Sequence, residues 1–208
     1  MSEQGNPPRR LGDVYFFATC VIDQFFPGAG IDAITLLERE GIRVHFPEGQ
    51  TCCGQPAHTS GFPDESRKVA AHTLTLFPND WPVVVPSGSC AGMMKHHYPT
   101  LFANDPARKA QAEALAGRIH EFTDFLVNVL GWQPRDKGSD CTVVLHTSCS
   151  ARREMGVHLT GRKLLDGLDR VKVAQQDHES ECCGFGGTFS VKQPEISGAM
   201  VEDKVKAL

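Results

Sequence analysis

The sequence predicts an α/β fold: two duplicated Rossmann-like units with parallel sheets flanked by helices, the second incomplete at the C-terminus. Two observations carry this prediction. Short β-branched runs alternate with helical stretches, which favours parallel strands joined by crossover helices. An unusual dipeptide also occurs twice in matching context, as "TCCGQPAH" at residues 51–58 and "ECCGFGGTF" at residues 181–189.

The elements follow in order. "DVYFFAT" (13–19) reads as a buried strand ending at Cys20. A Pro27–Gly28 turn then precedes the helical stretch "GIDAITLLERE", closed by Gly41. "IRVHF" is a second strand leading to Cys52 and Cys53. "FPDESRKVAAHTLTLF" opens with proline and acidic residues and suits a helix. "PVVVP" is a third strand and runs into "SGSC", ending at Cys90. Leu115, Ile119, Phe122, Leu126 and Leu130 recur at helical spacing, so the segment from Pro106 to Leu130 is predicted as the longest helix. The turn-rich "GWQPRDKGSD" marks a boundary, which gives a first cysteine-rich unit over 1–132 and a second over 139–208. The scheme then restarts with strand "TVVLH", Cys149, a helix near 160–168, strand "VKVAQ", Cys182 and Cys183, and a helix from Pro194.

The repeat is numerical as well as pictorial. Cys20 and Cys149 lie 129 positions apart, while Cys52 and Cys182, like Cys53 and Cys183, lie 130 apart. This spacing indicates an internal duplication. Seven cysteines follow predicted strands and therefore collect at strand C-termini, where open α/β sheets bind ligands. The counterpart of Cys90 would fall near position 220, so the second unit is expected to offer three thiolates. Cys141, at a strand start, reads as a small buried apolar residue.

Bulk composition excludes several classes. A net charge of -4 and a pI of about 6.1 provide no global basic field for nucleic acid or anionic lipid. No apolar run approaches the ~18 residues of a membrane span, and "MSEQGNPPRRLGDVYFF" lacks a secretory pattern. A cytoplasmic protein is expected. There, eight cysteines favour metal or redox chemistry over structural disulfides.

Cys20, Cys52, Cys53 and Cys90 supply four thiolates, the number used by structural zinc and by iron–sulfur clusters. No C-x2-4-C knuckle is present, and adjacent cysteines diverge, which suits a polynuclear iron–sulfur cluster. Zinc, and reduced cysteines without metal, are the alternatives. Gly54 and Gly184 allow close backbone approach and supply N–H donors. His96 and His97 read as a solvated loop pair near Cys90, and Met93 and Met94 as packing. His146 either touches the cysteine site or caps the sheet. The glycines of "GFGGTF" lack dinucleotide-binding spacing.

Taken together, C-x31-CC-x36-C followed by C-x32-CC resembles the CCG cysteine-rich domain found in heterodisulfide reductase and in the iron–sulfur proteins of glycolate and lactate oxidation. "FPEGQTCCGQPA", "VPSGSCAGMMKHHYP" and "CCGFGGTFSVKQPEIS" are similar to segments of the lactate-utilisation protein A family. The resemblance implies an electron-transferring iron–sulfur subunit of a complex that oxidises L-lactate to pyruvate, with a ferredoxin-like iron–sulfur protein among its partners. Glycolate is the alternative fuel, and a thiol–disulfide enzyme or a zinc-stabilised scaffold the alternative role. The implied cofactor is a 4Fe–4S cluster on Cys20, Cys52, Cys53 and Cys90, with a second, incomplete for want of a fourth thiolate, on Cys149, Cys182 and Cys183. Where the fuller CCG pattern closes with C-x2-C, this chain has Met93, so one thiolate of that pattern is absent. No residue is placed to take a hydride or proton from lactate, so the chain is not expected to be catalytic alone.

Overall fold

The computed structural model describes residues 12–135 and 138–207. Positions 1–11, 136–137 and 208, which include most of the N-terminal stretch and part of the predicted boundary segment, lie outside the described residues. Two all-parallel sheets are present, one of four strands and one of two, and helices pack against them.

The first sheet has the order β2-β1-β3-β4, formed by β1 (Asp13–Phe16), β2 (Arg43–His45), β3 (Val83–Val85) and β4 (Ile119–Glu121). Its apolar residues serve both faces, as a parallel sheet between helices requires. Tyr15, Phe17, Val83 and Val85 pack on one side with Met93, Met94, Tyr98 and Phe102. Val14, Phe16 and Val84 pack on the other with Leu37, Phe125 and Leu126.

Helix α1 (Cys20–Phe25) was not expected from the sequence. Helix α2 (Pro27–Arg39) starts on the predicted turn itself, because a proline at the first helical position costs no hydrogen bond. After β2 come α3 (Gln55–Thr59) and α4 (Pro63–Thr73), with Asp64 and Glu65 in the first turn of α4. Helix α5 (Gly88–Gly92) continues through a π-helical turn, Met93–His97, into α6 (Tyr98–Leu101). His96 and His97 are therefore helical rather than in a loop, and Met93 and Met94 are fully buried, as packing residues should be.

The predicted long helix is two helices with a strand between them. Helix α7 (Pro106–Ala116) is capped by Asp105, whose carboxylate accepts from Arg108 N at 3.1 Å. It ends at Gly117, and β4 then pairs with β3, Ile119 opposite Val83. Helix α8 (Phe122–Asp124) follows and runs into a second π-helical turn, Phe125–Val129. Ile119 sits at helical spacing from Leu115 and Phe122, so periodicity alone hid the strand. A β-branched residue two positions after Gly117 was the local signal.

The second sheet pairs β5 (Cys141–Val144) with β6 (Val171–Ala174). Helix α9 (Cys149–Arg153) follows β5, α10 (Val157–Asp166) packs against β6, and α11 (Thr188–Lys192) and α12 (Pro194–Lys206) pack on each other. Cys141 is exposed, contrary to the buried reading, because β5 carries mostly exposed side chains in a two-stranded sheet. The two sheet regions touch. A Cβ added to Gly88 would sit 2.5 Å from Ala151 Cβ, so α5 and α9 pack backbone to backbone. Thr123 Oγ1 lies 2.6 Å from Thr160 Oγ1, and Ser60 Oγ lies 2.8 Å from Thr188 Oγ1.

Candidate metal centre

Every cysteine singled out from spacing follows the C-terminal end of a parallel strand. Cys20 follows β1 and opens α1, Cys52 and Cys53 follow β2, and Cys90 follows β3 inside α5. Two loops are tied together by one side chain. Gln50 Nε2 donates to Phe16 O at 2.9 Å, and its Oε1 accepts from Ala18 N at 3.0 Å. The Cys52–Cys53 loop is thereby fixed beside the Cys20 loop. Thr19 precedes Cys20 with φ at 63°, a region that branched residues avoid, so backbone strain is held beside this cysteine.

The four thiols interact directly. Cys53 lies close enough to Cys52 and Cys90, and Cys20 to Cys52, for each to shift its neighbour's ionisation. Cys52 is consequently held down at about 6, through the Cys53 hydrogen bond first and the Gly54 N–H among the others. Cys90 is also lowered, again chiefly by Cys53, with Ser87 and Ser89 assisting. Cys53 moves up because its proton is shared with Cys52, and burial takes Cys20 up to about 11. Cys53 and Cys90 are buried, whereas Cys20 and Cys52 are partly exposed. Tyr98, fully buried, donates its hydroxyl to Cys53 O at 2.9 Å.

The second set repeats this plan. Cys149 opens α9, and burial, then Cys182, pushes its thiol up. Cys183 lies close enough to act on it electrostatically. Gly184 N donates to Cys182 Sγ at 3.4 Å, matching Gly54 N and Cys52. Both glycines are left-handed, with φ of 83° and 80°. Ser66 Oγ donates to Gly54 O at 3.2 Å, and Ser197 Oγ donates to Gly184 O at 2.9 Å. These serines were missed in the sequence, although "PDES" at 63–66 and "PEIS" at 194–197 are spaced like the cysteine pairs.

His96 is solvent-exposed, as expected, while His97 is half-buried. His97 faces α9, its Nε2 3.6 Å from Glu154 Oε1, and its ring stacks on His58 at 4.8 Å. His96 Nε2 meets Glu154 O at 3.2 Å. Burial lowers His146, and Lys204 adds to this.

Among the described residues, no three or more His, Cys, Asp or Glu side chains surround a point suited to a single metal ion. All eight cysteines are free thiols. The first set's chemistry fits a polynuclear group: four soft sulfur donors that neighbour one another, beside a left-handed glycine.

Comparison with known proteins places this arrangement. A family model described as Cysteine-rich domain matches twice, over residues 14–95 and 143–208. Lactate utilization protein A 1 of Bacillus mycoides is 46% identical over 194 residues, covering 93% of this chain and 79% of that protein. The chain belongs to the lactate utilization protein A family. Lactate utilization protein A of Shouchella clausii is 45% identical over 93% of this chain and 80% of its own length. That of Bacillus subtilis is 42% identical over 94% of this chain and 82% of its own length. The two Cysteine-rich domain matches include all seven cysteines of the two sets in this family member and leave out Cys141. Among the described residues, no helix is long and apolar enough to cross a membrane.

Proposed function

We propose that this chain serves lactate utilization as an iron–sulfur electron-transfer subunit of a complex oxidising L-lactate to pyruvate. The observation that carries the reading is the convergence of Cys20, Cys52, Cys53 and Cys90 into one set of neighbouring thiols that shift one another's ionisation. The names of its relatives support lactate as the fuel. The four cysteines would hold a 4Fe–4S cluster, which when bound supplies a one-electron couple.

The chain's own groups prepare the site. The thiols of Cys52 and Cys90 are both lowered, which eases the loss of their protons on loading. Gly54 brings its N–H to Cys52 and leaves the sulfur side open. Burial of Cys53 and Cys90 excludes water on the inner side, while Cys20 and Cys52 face the surface where a ferredoxin-like partner would dock. Cys149, Cys182 and Cys183 would form a second site once a fourth ligand is supplied. We also assign residues 1–132 and 139–208 to the two cysteine-rich units, and the cytoplasm as the compartment that keeps these thiols reduced.

The test is iron and acid-labile sulfide per chain, with an EPR spectrum, after anaerobic reconstitution. About four iron per chain corresponds to the first set alone, and about eight to both sets loaded. Cys52→Ser or Cys53→Ser is expected to abolish iron binding at the first set, and Cys141→Ser to leave iron unchanged. One bound zinc without iron would overturn the electron-transfer role in favour of a zinc-stabilised scaffold.

A further inference from the structure

Helix α1 begins at Cys20 and buries none of its own residues. So short a helix does not persist unaided. It is seated by Ile22, whose Cγ2 would lie 3.1 Å from a Cβ added to Gly30 of α2, and its first turn is capped by Thr19 Oγ1, which accepts from Ile22 N at 3.4 Å. With Ile22 inward, the other side of α1 faces water. Every residue from Asp23 to Ala29 is exposed. Phe25 and Phe26 are 72% and 63% exposed, and Val21 lies one turn before Phe25 on the same side of the helix. Ile31 on α2 is exposed as well, and Phe46 leaves β2 exposed at the same carboxyl edge of the sheet. Apolar side chains gathered in water beside a candidate site mark an interaction surface.

The charge of this surface has one sign. No lysine, arginine or histidine occurs between Cys20 and Glu38. Asp23 and Asp32 stand exposed there, with no ion-pair partner among the described residues. The stretch from Cys20 to Glu40 holds four acidic residues and one basic residue, in a chain whose whole net charge is only -4. Glu48, exposed beyond Phe46, extends the acidic rim. A second copy of the chain would bring the same charge to the contact and be repelled, as would nucleic acid or an anionic membrane. The complement of an apolar centre with an acidic rim is an apolar centre with a basic one.

We propose that the α1 surface around Phe25 and Phe26 docks a partner protein whose face has an apolar centre ringed by lysine or arginine. Phe25 and Phe26 are the anchors, and Asp23 and Asp32 pair with the basic ring. The inference deepens the electron-transfer reading and rests on it only for what crosses the interface, since Cys20 opens the same helix. A ferredoxin-like partner would meet this chain through basic, not acidic, surface.

The experiment is isothermal titration calorimetry of the full chain at low salt, with two small redox proteins of opposite charge as titrants: basic cytochrome c and an acidic ferredoxin. Cytochrome c is expected to bind one per chain. Its affinity should fall at least about tenfold in Phe25→Ser/Phe26→Ser and in Asp23→Lys/Asp32→Lys, with the thermal unfolding midpoint little changed. Glu202→Lys/Asp203→Lys makes the same charge change on exposed positions of α12 and is expected to shift binding by no more than about twofold. The proposal fails if cytochrome c gives no saturable heat, if the ferredoxin binds as tightly, or if either double variant at α1 and α2 keeps wild-type affinity. It also fails if the α12 variant weakens binding as much as Asp23→Lys/Asp32→Lys. Self-association of the chain that Phe25→Ser/Phe26→Ser abolishes, read by sedimentation, would give the surface to a second copy and overturn the proposal. A chain that binds cytochrome c in the expected pattern but takes up no iron on anaerobic reconstitution would sink the electron-transfer reading and leave the docking surface standing.

Discussion

Gly54 and Gly184 each close a cysteine pair, yet their surroundings differ in tightness. Both need a left-handed backbone, which a side chain adopts only at a cost. At Gly54 the nearest atom to an added Cβ is Ser66 Oγ at 3.2 Å, the end of a side chain. At Gly184 it is Met200 Cβ at 2.7 Å, with Ser197 O at 2.8 Å. Gly184→Ala is therefore expected to destabilise by about 2–4 kcal/mol and Gly54→Ala by about 1–2 kcal/mol, read from denaturant unfolding. Equal costs would mean that Met200 and Ser197 yield freely. The glycines were legible in the sequence because each follows a cysteine pair. The serines that hold them were not, because a lone serine in a helix carries no signal until its partner carbonyl is known.

At the scale of elements, the β4–α8 junction concentrates polar contacts that the sequence concealed behind a helical period. Glu121 caps α8, its carboxylate accepting from Thr123 N at 2.7 Å and Asp124 N at 3.3 Å, and burial pushes its pKa up. His120 Nδ1 lies 3.1 Å from Asp124 Oδ2 and holds that carboxyl below its usual range. A carboxyl lowered on folding adds stability above its unfolded pKa, near ~4, and loses it as pH falls through the folded value. Asp124→Asn is thus expected to be less stable than the wild type at pH 7, and the gap should narrow below about pH 4. Denaturant midpoints at pH 7 and pH 3 check this, and a gap independent of pH would sink it. The strands β1, β2, β3, β5 and β6 were legible because each is a short branched or aromatic run bounded by turn formers. Strand β4 was not, since its three residues "IHE" join two helices whose apolar positions keep one phase.

Across the whole molecule, the duplication was legible in the cysteine arithmetic, but the contact between the two sheet regions was not. It rests on Gly88, Gly92 and Ala151, small residues that no periodicity distinguishes, and on Glu154, whose buried Oε2 fits against Gly92. Gly88→Ala would place a methyl 2.6 Å from Ala151 Cα, a backbone atom that cannot step aside. The variant is expected to speed amide hydrogen exchange in α9 and α10 by about tenfold or more while β1 and β3 keep their protection. Uniform loss of protection would instead show that the molecule opens as one cooperative body. The proposed cluster site lies close to this contact through Cys90 on α5, so iron taken up on anaerobic reconstitution gives a second reading of the same variant.

The Gly88–Ala151 approach also constrains how the two copies can drift apart. A duplicated gene usually frees one copy to accumulate change, but here a single added methyl on α5 is felt on α9. Position 151 can grow only if position 88 makes room, and position 88 has nothing left to give up. The two copies are obliged to inherit their changes together at this point, and variants recovered from random mutagenesis should keep both residues small.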